Sequence, residues 1–336
     1  MPTANPDKIK TVKELPRREI VFALARVAGS SRVFFGGSDF AVNAVDLADD
    51  KPAPRELGRH DSYVTGLALA GAGKTLVSGA YDGRLIWWDT ASRSHLRTVE
   101  AHAKWVRGVA ATPDGGTVVS VADDMVCRLW DAADGRLIRA LRGHAETTPH
   151  HFPSMLYACA VAPDGLSVAT GDKVGRIVVW ETATGKELAR LEAPMMYTWD
   201  PTARRHSIGG IRALAFSPDG SRLAVGGMGP VGNIDHLEGK ARVEVFDWRK
   251  GERTHEFPGD SFKGLVEDLA FHPRGDWLLA AGGSNDGFLM FFDLAAKKAL
   301  SQEKMPMHVH SVALNEEGDT IYAAGDKKLA VLKMTG

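Results

Sequence analysis

Two sets of four residues carry the side chains of a nucleophilic triad. His60, Ser78, Asp82 and Trp88 form one set, and His102, Ser120, Asp124 and Trp130 repeat it 42 residues later at every position. An imidazole that takes a proton from a hydroxyl while a carboxylate orients it is the arrangement that activates serine. That chemistry also needs substrate access and an oxyanion site, and both serines lie inside strand-like apolar runs. Duplication favours a structural role, and no catalytic residue is assigned. Other chemistry is sparse. The glycine-rich stretches 226–229 and 282–283 lack the strand-to-helix context of a phosphate cradle and read as turns. The 12 histidines include His144, His150 and His151 close together, without zinc-type spacing, so neither metal nor cofactor is expected.

What positions these residues is a repeat. A phrase of histidine, apolar run, a second apolar run around Ser78, Asp-Gly, and an apolar run closing in Trp-Asp occupies residues 60–89 and returns at 102–131. A third copy spans 144–181, stretched by an insertion; degenerate copies at about 20–47, 208–248, 262–294 and 307–334 bring the total to seven. The apolar runs are short, rich in Val, Ile and Leu, and split by turns such as 113–115, 163–165 and 218–220, each Pro-Asp-Gly. Length alone allows two domains, but closed all-β folds of 336 residues occur as one. A net charge of -1 offers no field for a phosphate backbone, so nucleic acid is not an expected partner. Cys127 and Cys159 sit in apolar runs as small buried hydrophobes, which fits a reducing cytoplasm. Residues 1–19 are studded with charge and have no signal-like stretch, and the longest apolar run, 155–162, is too short to cross a membrane, so a soluble, cytoplasmic protein is expected.

On these motifs the chain resembles the WD40 repeat family. The resemblance implies an all-β fold: a seven-bladed β-propeller of four-stranded antiparallel blades, one domain over residues 1–336. The last copy stops after three strands, and the alternating stretch 8–15 belongs to no blade of its own; it is expected to supply the missing outer strand, closing the ring and covering an open edge. The resemblance also makes the two Ser/His/Asp/Trp sets structural tetrads, bonded in series from indole N–H to carboxylate. In the fourth blade Thr170 matches the serine but Val174 stands in the aspartate place, so that network is expected to be incomplete or rewired.

In such a fold the connections entering each blade and those between its second and third strands share one rim. Three insertions fall on that rim of blades 4 and 5: residues 142–154, 192–210 and 228–240. Long loops on a rigid scaffold commonly carry binding. These hold Tyr197, Trp199, Arg204, Arg205, His150, His151, His206, Asp235 and His236, rich in residue types enriched at interfaces. The expectation is a non-enzymatic interaction scaffold, monomeric on its own, binding a protein or peptide through this patch with Trp199 as anchor. The bland alternative is that the loops pack on one another as a lid. A second function class is a small-ligand or metal-binding propeller, or an enzyme, using the His-rich rim; a third is a structural subunit joined through its blade edges.

Overall fold

The computed structural model describes residues 5–202, 205–235, 238–259 and 261–335. Its fold class is the β-propeller. Among the described residues, five sheets are four-stranded antiparallel meanders, each strand pairing with its sequence neighbour. The middle strands are covered on both faces: Thr75–Ala80 and Arg84–Asp89 bury nearly every side chain, whereas the outer strand His95–Glu100 alternates exposed with half-buried. Two-sided burial is why the inner strands read as continuous apolar runs. Each fully buried Val, Leu or Phe among them contributes roughly 1.5–3 kcal/mol over an exposed one.

The chain divides into two compact units, Met1–Ala140 with His310–Gly336, and Leu141–Val309. The first holds blades 1 to 3 and 7. Its largest sheet has six strands, because two long strands each serve twice. Thr320–Met334 folds back on itself through Lys327, at φ 59°, so that the Met334 N–H donates to the Asp319 carbonyl at 2.8 Å. Ile9–Arg26 pairs its first half with that returning arm, Ile9 opposite Met334 and Leu15 opposite Leu329, and its second half with Arg32–Gly37, Val21 opposite Gly37. One hydrogen-bonded sheet therefore holds two repeats, which reconciles six blade sheets with seven copies. Leu24, Phe35, Tyr322, Leu329 and Val331 pack in one core between them.

The second unit holds blades 4 to 6 and an inserted hairpin, Tyr197–Asp200 paired with His206–Gly209. Ile177, Val179, Ile211, Leu223 and Phe246 form its core under the hairpin. The glycine-rich stretches are not turns, as the sequence suggested: Gly226 and Gly227 lie in the strand Arg222–Met228, and Gly282 and Gly283 in Leu278–Gly283. The reason is close approach. A Cβ on Gly226 would stand 2.6 Å from Val266 Cγ1, and one on Gly282 1.9 Å from the Leu265 carbonyl oxygen.

Candidate functional site

The duplicated Ser/His/Asp sets are hydrogen-bonded chains inside their blades. Trp88 Nε1 donates to Ser78 Oγ at 2.8 Å, His60 Nε2 lies 2.8 Å from the same Oγ, and His60 Nδ1 lies 3.0 Å from Asp82 Oδ2. The series works with one tautomer: indole N–H to hydroxyl oxygen, hydroxyl proton to Nε2, Nδ1–H to carboxylate. Trp130, Ser120, His102 and Asp124 repeat it at 2.8, 2.7 and 3.1 Å. Burial alone would raise the Asp82 carboxyl, but the His60 bond and backbone N–H groups hold it below its ordinary value. Ser78 and Ser120 have no exposed surface, so neither hydroxyl meets a substrate.

Blade 4 is rewired rather than incomplete. Asp172, not residue 174, supplies the carboxylate: its Oδ2 lies 2.9 Å from His144 Nδ1, while His144 Nε2 is 2.8 Å from Thr170 Oγ1, which accepts from Trp180 Nε1 at 3.0 Å. The acid has moved two residues toward the strand yet keeps its second task, Oδ1 accepting from the N–H groups of Val174 and Arg176 at 3.0 and 2.9 Å. Matching by register alone puts Val174 in that place; the side chain's reach decides otherwise.

The three insertions meet on the second unit. The hairpin leaves its blade through Gly209 and Gly210, both in the left-handed region at φ 101° and 103°; a Cβ on Gly209 would strike the Met196 carbonyl oxygen at 2.2 Å. On one side the 142–154 loop folds over it, closed by Thr148 N–H donating to the Phe152 carbonyl at 2.7 Å and by His151 at φ 64°. That places the His150 ring flat on Trp199, centroids 4.2 Å apart and planes 10° apart, with His150 Nδ1 3.0 Å from the Tyr197 hydroxyl. Phe152 tilts against Trp199 at 5.3 Å. On the other side Val231 N–H, in the 228–240 insertion, donates to Thr198 Oγ1 at 3.2 Å.

Of the residues singled out from sequence, Tyr197, Trp199 and His150 form one cluster. Arg205, His151, His206 and Asp235 are exposed around it. Arg204 and His236 lie outside the described residues. Trp199 is half-buried, and Phe152 and Met195 beside the hairpin stay exposed at 41% and 44%, so the loops pack together and still present apolar surface. None of His150, His151 and His206 belongs to a group of three possible metal ligands among the described residues. Beneath the hairpin the Arg212 guanidinium lies 3.8 Å from the Tyr157 ring centroid. No motif marks that pair; the available signal was repeat register, since Arg212 follows Ile211 just ahead of the strand Ala213–Phe216.

Four segments, residues 53–89, 93–131, 200–229 and 251–293, match the WD40 family, described as WD domain, G-beta repeat. With the blades above, they make this chain a WD40-repeat protein of β-propeller class. It is similar to Actin-interacting protein 1 of Drosophila melanogaster, 24% identical over 175 residues, covering 50% of this chain and 25% of that protein. Telomerase protein component 1 of Mus musculus is 29% identical over 169 residues, covering 50% of this chain and 5% of the relative. Eukaryotic translation initiation factor 3 subunit I of Scheffersomyces stipitis is 26% identical over 182 residues, 52% of this chain and 46% of that one. The chain thus spans less than half the length of each of these relatives.

Proposed function

We propose that this protein is a non-enzymatic interaction scaffold, cytoplasmic in setting, whose partner is a protein or peptide seated on the blade 4–5 patch. The observation that carries the reading is the convergence of three insertions on one hairpin, with exposed Phe152 against a half-buried Trp199 and exposed Met195 in the turn just before the hairpin. A plain blade turn needs none of these side chains, and rigid aromatic residues in a partly desolvated setting are the usual anchors of protein interfaces. The family typically mediates protein–protein contacts. Two of the relatives are named for assembly, one as actin-interacting and one as a subunit of a factor, and that supports an interaction role here.

The test compares the full chain with Trp199→Ala and with the surface variant Phe152→Ser/Met195→Ser, which leaves the hairpin pairs intact. Partner capture is quantified after each variant shows a melting temperature near wild type. Loss of the same partners in both is expected, a central Trp commonly contributing about 2 kcal/mol or more. Retention of every partner at wild-type affinity by both variants overturns the reading.

A further inference from the structure

In blade 3 Arg107 is the second residue of the first strand, Val106–Ala111, and in blade 5 Arg212 immediately precedes the first strand, Ala213–Phe216; among the described residues only Arg107 has its own carboxylate. In blade 3, Arg107 follows Val106; its guanidinium stacks over Tyr81 at 4.7 Å and Trp105 at 5.1 Å, and its Nε and Nη2 donate to the two oxygens of Asp123 at 2.8 Å each. In blade 5, Arg212 follows Ile211 and has its aromatic platform in Tyr157. The pairing Val121 opposite Gly108 in blade 3 corresponds to Gly226 opposite Ala213 in blade 5, so the counterpart of Asp123 is Met228, which is buried.

The consequence is an arginine with much of its hydrogen-bonding capacity unused. Nη2 makes one long contact, 3.4 Å, to the Gly209 carbonyl, and the buried Nε has no acceptor among the described residues. A guanidinium has five N–H donors and stays charged; Arg212 is half-buried, and its Nε lacks both solvent and an acceptor among the described residues. The next inner strand offers an acid at the same position, Glu267, but its carboxylate lies near His308, at 3.7 Å.

We propose that Arg212 anchors a carboxylate-binding site on blades 4 and 5, whose occupant is an aspartate or glutamate side chain of a peptide partner. The guanidinium, seated over the Tyr157 ring with its Nε buried, offers its Nη groups to a planar acid, whereas Arg107 meets Asp123 through Nε and Nη2. The site rests on the rim-binding reading, since the Gly209 carbonyl that Arg212 touches belongs to the hairpin carrying Trp199.

The test uses the full chain and four fluorescent hexapeptide pools, with Glu, Asp, Gln or phosphoserine fixed at one central position and the rest randomised. Wild type is expected to bind the Glu and Asp pools at least about tenfold tighter than the Gln pool, the scale of one charge-assisted hydrogen-bonded pair. Arg212→Gln should abolish that preference. So should Met228→Asp, which installs the internal acid that blade 3 already has; melting temperatures verify folding of both. Equal binding of the Glu and Gln pools by wild type overturns the proposal, as does tighter binding of the phosphoserine pool than of either acid pool, or an unchanged acid preference in folded Met228→Asp. Trp199→Ala separates the two readings: if it leaves all binding intact while the Arg212-dependent preference persists, the carboxylate site stands and the aromatic anchor fails. If it removes binding but wild type ignores peptide charge, the reverse holds.

Discussion

Asp172 is the residue whose removal should hurt blade 4. Asp172→Ala strands the His144 Nδ1–H and the two backbone N–H groups that its Oδ1 accepts. The expected loss is roughly 1–3 kcal/mol or more, the cost of unmet buried donors, and similar to that of Asp82→Ala. Val174→Ala should show only a modest apolar truncation, because its half-buried side chain is no part of the network. Denaturant titration of the three variants checks this; a neutral Asp172→Ala, or an equally severe Val174→Ala, contradicts it. The sequence made the tetrads of blades 2 and 3 readable because spacing there is identical. It obscured the third because an aspartate two residues earlier reaches the same imidazole. The same groups set a pH profile. Burial lowers the His102 imidazole, and Arg128 adds to that against the pull of Asp124; burial likewise lowers His255, which bonds the Leu294 carbonyl. A histidine lowered in the folded state stabilises above its unfolded value of about 6.5 and loses that contribution as pH falls through it. Asp82 and Asp124, held below their ordinary values, contribute above about 3.9 and fail only below it. Melting temperature should therefore fall in two stages on acidification, one starting near pH 6.5 and one near pH 4. A flat profile from pH 7.5 to 5 contradicts the first stage.

At the scale of elements, the strands were legible wherever both faces are covered. Runs such as Ile177 to Val179 are apolar without a break because blade neighbours press on either side, and the Pro-Asp-Gly turns appear with Gly115, Gly165 and Gly220 at φ 71°, 73° and 67°. The insertions were legible as places but not as shapes. Nothing in 192–210 alternates like a strand, yet Trp199 pairs with Ser207 and Tyr197 with Gly209. Two left-handed glycines at the exit, and Thr198 accepting a bond from the next loop, fix what local propensity leaves open. The glycines of the inner strands failed as turn markers for a related reason. Their role is set by Val266 of the next blade against Gly226 and by Leu265 on the paired strand beside Gly282, residues some 17–40 positions away whose approach no local window contains.

At the scale of the whole molecule, the two ends of the chain build one sheet. Residues 9–16 run along 328–334, while the same strand continues into blade 1. Removing residues 1–18 leaves the Leu329–Met334 arm without its partner, exposing unpaired N–H and C=O groups and the apolar side chains that Leu15 helps cover. Each backbone bond lost costs about 1 kcal/mol net, so a few kcal/mol are at stake, and a unit of this size shifts by roughly 2–4 °C per kcal/mol. The truncated chain should melt several degrees lower and associate at the open edge. A synthetic peptide of residues 5–18 added in trans should restore part of the melting temperature by occupying the same register, Ile9 against Met334. A scrambled peptide of equal composition should restore nothing, because its alternation would turn apolar side chains to solvent. Identical melting of full-length and truncated chains would show that the strand adds no stability to the sheet it completes.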